Sequence, residues 1–167
     1  MADSDLPVFS FRPNWREGVT ERLSFMTSVA RSKAGSEQRR QLRNTPRRTI
    51  EADFLLTGME RTFWDLFINR LGGQEITIPL YWCVVAIPSA LVAGASDSVL
   101  IDTLYQEFQE GDLAILMGDD ARFYEVVEIE AIDEYGLTFV DPVSNNWPAG
   151  TKIMPLRRGI VDDFGDL

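Results

Sequence analysis

The sequence has no histidine and only one cysteine among its 167 residues. Without histidine there is no Ser-His-Asp or Cys-His nucleophile pair, and the usual zinc and non-haem iron ligand sets are missing. Cys83 alone allows neither an intramolecular disulfide nor a cysteine-rich metal site. It lies in the apolar run Tyr81–Ile87 and reads as a buried, inert thiol. Long hydrophobic runs are also missing. The most apolar stretch, Ile76–Ala95, is interrupted by Pro79, Pro88, Ser89 and Gly94, so it falls short of the roughly 20 apolar residues that a membrane helix needs. The opening MADSDLPVF lacks the basic and apolar regions of a secretory leader, and assembly in the cytoplasm is expected. Phosphate-loop, dinucleotide-binding and G-x-S-x-G signatures do not occur. These gaps lead to the expectation of a non-enzymatic protein with no catalytic residues, no cofactor and no metal.

What is present is enough for a packed core: 45% of residues are hydrophobic and 11% aromatic. The formal charge of −10 is unevenly placed. Residues 1–72 carry 12 Lys/Arg against 9 Asp/Glu, whereas residues 73–167 carry 4 against 17. A basic half joined to an acidic half suggests two modules and complementary surfaces on neighbouring copies. The acidity of the whole argues against nucleic acid as a partner. The acidic residues, among them Asp97, Asp102, Glu110, Asp119, Asp120, Asp133 and Glu134, show no spacing typical of a loop that wraps a hard cation.

Alternation along Val19–Ala30 predicts a strand with some apolar residues on both faces. A loop at SKAGSEQ follows, and Arg47–Thr57 alternates again, so the two stretches read as a β-hairpin with long, charged arms. Thr57 and Glu60 fit a capping box for a helix over Thr57–Leu71, with Phe63, Leu66, Phe67 and Leu71 as its packing face and Gly72-Gly73 as its stop. A strand is expected at Gln74–Trp82. Residues 83–97, punctuated by Pro88, Ser89, Gly94 and Ser96, are expected to be a linker. Five short strands follow at Ser98–Ile101, Asp112–Met117, Phe123–Ile132, Leu137–Phe139 and Thr151–Pro155, the signature of a small barrel of OB or SH3-like size. The expected fold class is therefore mainly β: an N-terminal β-sandwich with one helix over residues 1–85, a small C-terminal β-barrel over 98–160, and a tail at 161–167.

The run from Arg31 to Arg48 carries the strongest candidate site. It holds Arg31, Lys33, Arg39, Arg40, Arg43, Arg47 and Arg48 against one acid, Glu37. It contains no aromatic residue for stacking bases, which favours an acidic protein surface over nucleic acid. The bland alternative is a solvated hairpin whose charges protect a strand edge from aggregation. Trp15, Trp64, Trp82 and Trp147 read as core or interface residues rather than sugar platforms.

Trp15-Arg16-Glu17-Gly18-Val19, Thr27-Ser28-Val29, Gly35-Ser36-Glu37-Gln38-Arg39 and Pro46-Arg47-Arg48, followed by the helix Met59–Leu71 and the strand Ile76–Trp82, form a recurring pattern. In these elements Phe11–Trp82 resembles the N-terminal region of minor tail proteins of long non-contractile-tailed phages, of the distal-tail and baseplate type. That resemblance implies a β-sandwich with one helix whose copies close a ring, commonly a hexamer, at the tail tip of the virion. The implied partners are other copies of the chain, the tail tube protein, the baseplate hub and other tail-tip proteins, with no nucleic acid and no membrane insertion. It transfers no catalytic residues, only an assembly role for the hairpin Val19–Thr57. The alternative from a different class is a β-barrel adaptor that binds carbohydrate or a receptor-binding protein.

Overall fold

The computed structural model describes residues 6–31, 35–71, 73–120 and 122–161. The protein is mainly β, with eleven strands and one α-helix among these residues. It divides into two compact units. One is the segment 13–56; the other combines residues up to Arg12 with everything from Thr57 onward. No helix among the described residues is long and apolar enough to cross a membrane.

The segment 13–56 is a hairpin ribbon. β1 (Val19–Ser24) pairs antiparallel with β4 (Arg47–Ala52), and β2 (Thr27–Arg31) pairs with β3 (Glu37–Gln41). Two residues, Phe25 and Met26, face five, 42–46, where the ribbon is interrupted. The Leu42 amide donates to the Met26 carbonyl at 2.9 Å and carries the pairing some way into that break. At the root, the Asn14 amide donates to the Asp53 carbonyl at 2.7 Å, so the outgoing and returning chains meet there. Gly18, at φ +87°, turns the chain into β1 in a conformation that disfavours a β-carbon.

The larger unit is built on one sheet with the order β5-β11-β8-β9-β10-β7. These strands are β5 (Glu75–Pro79), β7 (Ser98–Leu100), β8 (Leu113–Met117), β9 (Tyr124–Asp133), β10 (Gly136–Phe139) and β11 (Lys152–Ile160). The short β6 (Val85–Ala86) also pairs with β11. Every residue of β8 is buried. Ala114 and Leu116 point into one core with Ile87, Leu91, Val127, Ile129, Phe139 and Trp147. Leu113, Ile115 and Met117 point into a second with Val8, Met154 and Leu156. Gly136 is required where β10 meets β7, because a β-carbon there would sit 2.7 Å from the Val99 carbonyl oxygen.

The helix α1 (Met59–Leu71) packs through aromatic side chains. Phe9 and Phe11 lie on a segment that bridges β5: the Phe9 amide donates to Thr77 at 2.8 Å, and the Thr77 amide donates to Pro7 at 2.9 Å. The Phe11 ring lies 4.9 Å from Trp64, 5.1 Å from Phe63 and 5.6 Å from Phe67, and Phe9 is 5.6 Å from Trp64. Trp64 and Leu71 are the helix's buried residues, and Phe63 and Phe67 are half-buried.

Several expectations change. Leu66, assigned to the packing face, is exposed, and Trp64 takes the central place because the helix meets a pair of phenylalanines rather than a flat sheet. The hydrogen bond at the helix start runs from the Glu60 amide to the Thr57 carbonyl at 3.1 Å, through Gly58 at φ +53°. Of the expected stop, Gly72 lies outside the described residues and Gly73 adopts φ +80°. Residues 83–97 are not a linker. Cys83, Ile87 and Leu91 are buried, and Leu91 exchanges two backbone hydrogen bonds with Trp147 (2.8 and 3.0 Å). β5, expected in an N-terminal domain, pairs with β11 across five residues, so the boundary between 85 and 98 does not separate two folds. The expected sandwich is absent among the described residues: β1–β4 form paired ribbons instead. The strand order is likewise an open path, and no closed barrel occurs among the described residues. Of the expected tail at 161–167, only Val161 is described.

Three outcomes follow for stability. Phe11→Ala should cost about 3–5 kcal/mol in chemical denaturation, as expected for a fully buried ring, and Phe67→Ala should cost less because Phe67 is only half-buried. Residues 1–97 expressed alone should be insoluble or molten, since β5 loses β11 and Leu91 loses Trp147. Replacing 15–52 by a short Gly-Ser bridge should instead leave a cooperative unfolding transition, because Asn14 and Asp53 already adjoin.

Candidate functional site

The arginine-bearing residues gather on the ribbon. Opposed residues of an antiparallel pair share a face. Across the β2–β3 pairing, the first face therefore carries Thr27/Gln41, Val29/Arg39 and Arg31/Glu37, and the other carries Ser28/Arg40 and Ala30/Gln38. Glu37 is the hub of the first face: its carboxylate takes Arg39 at 2.6 Å and Arg31 at 3.5 Å. Across the β1–β4 pairing, Val19/Ala52, Glu21/Ile50 and Leu23/Arg48 share a face, and Arg48 reaches Glu21 diagonally at 2.6 Å. Arg47 lies on the opposite face beside Ser24. Arg43 sits in the five-residue connection, where its carbonyl accepts from the Gln41 side chain at 2.8 Å. Lys33 lies outside the described residues. The structure thus gathers the remaining seven predicted residues on one ribbon but divides six of them between strand faces and leaves Arg43 in the connection.

The exposed apolar residues of the same ribbon were not assigned to the site from the sequence. Leu23, Met26, Val29 and Leu42 are each about half exposed, and Phe25 is 71% exposed. Phe25, Met26 and Leu42 mark the interruption between the two paired sections of the ribbon. The signal for them was the presence of apolar residues on both faces of Val19–Ala30, which a one-sided hairpin does not need.

The energetics of this ribbon are unfavourable when it stands alone. A two-stranded hairpin without a packed face is marginal in water. Nearly all residues of β1–β3 are exposed, and among the described residues the outer edges of all four strands are unpaired. The segment 13–56 also carries nine Lys/Arg against five Asp/Glu, so like charges crowd a narrow element. Its ion pairs are exposed and contribute about 0–1 kcal/mol each. An acidic, partly apolar surface would relieve both penalties.

Elsewhere, polar groups are taken up in holding the larger unit together. The Glu125 carboxylate accepts from the amides of Ser144 and Asn145, the Asn145 side chain (3.1 Å) and the Trp147 indole (2.8 Å). Burial works to raise its pKa, yet these four donors outweigh it and hold the value below the ordinary glutamate range. Arg157 donates to Asp112 at 2.7 Å, to the Leu156 carbonyl at 3.1 Å and to the Glu107 carbonyl. It lines a shallow depression with Thr77, Leu113 and Arg158. The buried Tyr81 hydroxyl has its pKa raised by desolvation, with Arg12 opposing. Of the four tryptophans, Trp64 and Trp147 are core residues, whereas Trp15 and Trp82 are partly exposed. Cys83 is buried, as its apolar surroundings led one to expect.

No family model matches the chain, and no curated protein matches it in sequence. Among solved structures, the chain is similar to the tailspike of Acinetobacter baumannii bacteriophage AP22, solved with a capsular saccharide of A. baumannii. The TM-score is 0.37 at 20% identity, over 51% of this chain and 15% of the tailspike.

The Glu125 network predicts a pH effect of definite sign. Because the folded pKa is depressed, its stabilisation is present above the unfolded value of about 4.3. It is lost as pH falls below that value and through the folded one. Glu125→Gln should therefore lower the melting temperature at pH 7 and have a smaller effect at pH 3. An equal loss at both pH values would show that packing, not charge, accounts for the difference.

Proposed function

We propose that the protein is a non-enzymatic structural component of a phage tail, forming a ring at the tail tip that joins the tail tube to the baseplate hub. One observation carries the assembly role: among the described residues the strands of the ribbon 13–56 pair only with one another, and the ribbon is exposed on both faces, arginine-rich and apolar at its interruption. Such an element gains its stability from a neighbour. The phage-tail assignment rests on the resemblance of Phe11–Trp82 to distal-tail proteins, whose quoted motifs fall on this ribbon, the helix and β5. A homo-oligomeric ring, commonly a hexamer in that family, uses a heterologous contact repeated until it closes, and an arm that meets a different surface on the next copy is such a contact. Localisation at the virion tail tip and the tube and hub partners belong to the same reading.

A repeated set of arginines acts together where a single pair contributes little, and assembly through it weakens as salt is added. Replacing Arg39, Arg40 and Arg43 together by glutamate should leave the thermal unfolding of the monomer nearly unchanged and abolish higher-mass species in analytical ultracentrifugation. Virions carrying the triple variant should lack intact tail tips. Normal, infectious tails would sink the assembly role and leave the ribbon a solvated arm. A monomeric wild type that binds glycans on an array would support the carbohydrate-binding adaptor instead.

A further inference from the structure

The proposed function leaves open what receives the arm, and a second exposed feature answers to it. At one end of the large sheet, Leu100, Leu104, Tyr105 and Tyr135 are all exposed, Tyr105 to 97%. Backbone and side-chain bonds hold the segments that carry them together. Leu100 stands opposite Gly136 in the β7–β10 pairing, and the Ile101 amide donates to the Tyr135 carbonyl at 2.9 Å. The Thr103 hydroxyl donates to the Asp133 carbonyl at 2.5 Å. Two further bonds fix the turns: the Leu104 amide donates to Asp102 (2.9 Å) and the Tyr135 amide to Asp133 (2.8 Å). Tyr105 is the sole non-glycine residue among those described with a positive φ, +63°. The fold thus holds a tyrosine in a left-handed conformation that its β-carbon disfavours, with its ring in solvent. Asp102, Asp133 and Glu134, on the same two segments, are exposed.

We infer that this patch is the acceptor for the arm of a second copy of the chain. The occupant follows from complementarity in two properties at once. The arm offers Phe25, Met26, Val29 and Leu42 among arginines; the patch offers leucines and tyrosines among carboxylates. The charge balance extends to the whole units: nine basic against five acidic residues in 13–56, and seven against twenty-one in the remainder. Large aromatic side chains rimmed by charge dominate the affinity of such contacts, and the charges set approach and orientation. Arm and patch are different surfaces, so each copy has one of each.

This inference rests on the assembly role proposed above, and a mixing experiment separates the two. The patch variant is Leu100→Thr with Tyr105→Gly. Glycine relieves the positive φ, so the monomer should unfold at the same temperature or higher. The arm variant is the triple arginine-to-glutamate chain. Each alone should sediment as a monomer, with self-association weakened at least about tenfold. Mixed, they should give a 1:1 complex that grows no further, because the intact patch of one accepts the intact arm of the other. A patch variant that assembles like wild type, while the arm variant does not, overturns the inference and leaves the assembly role standing. Two monomeric variants that fail to pair on mixing also overturn it. An arm variant that still assembles, or a wild type monomeric at every concentration, overturns both.

Discussion

A strand that is apolar at every position must be covered on both faces, and Leu113–Met117 is such a strand. Each fully buried Leu, Ile or Met side chain contributes about 1.5–3 kcal/mol relative to exposure, so no arrangement that leaves one face of this strand wet is competitive. The remainder of the larger unit is organised around that demand. One face is closed by Ile87, Leu91, Phe139 and Trp147, which draws residues 83–97 and the 143–147 loop inward. The other is closed by Val8, Met154 and Leu156, which brings the N-terminal segment against β5. The aromatic cluster of Phe9 and Phe11 with α1 then follows, since the segment that supplies Val8 carries both rings.

The same demand explains what the sequence disclosed and what it hid. Alternation and turn residues located β7 to β10 and the helix within a residue or two, because each is a local pattern. The role of 83–97 was hidden for the opposite reason. Pro88, Ser89 and Gly94 read as punctuation, yet the bonds that fix this stretch go to Trp147 and Val143, about fifty residues away. β11 was expected to stop at Pro155, where a ladder donor is missing. It continues to Ile160 because the strand passes from pairing with β8 to pairing with β5 at that point.

In the arm, charge was legible and topology only to a degree. The arginine run and the long hairpin could be read directly, as could apolar residues on both sides of Val19–Ala30. The interruption was not, because Phe25-Met26 continue the alternation without a break while 42–46 insert extra residues on the other side. A sandwich was expected from the order of successive strands, one helix and a further strand, and from the resemblance to distal-tail proteins. Here the strands form two separate two-stranded pairings. The acceptor proposed for the arm was invisible to pattern reading, because Leu100, Leu104, Tyr105 and Tyr135 form a patch only through β7–β10 pairing.

The pairing of Glu75 with Ile160 also sets an order in time. The strands of the ribbon are joined within a span of 34 residues, Val19 to Ala52, whereas β5 waits for a partner 77 to 85 positions downstream. Local contacts close fast and distant ones slowly. On a growing chain, the ribbon's residues are complete long before β11 has been synthesised, and the sheet can close only after Ile160 has been added. The ribbon therefore precedes the surface proposed to receive it, so under that proposal a nascent chain can offer an arm before it can accept one.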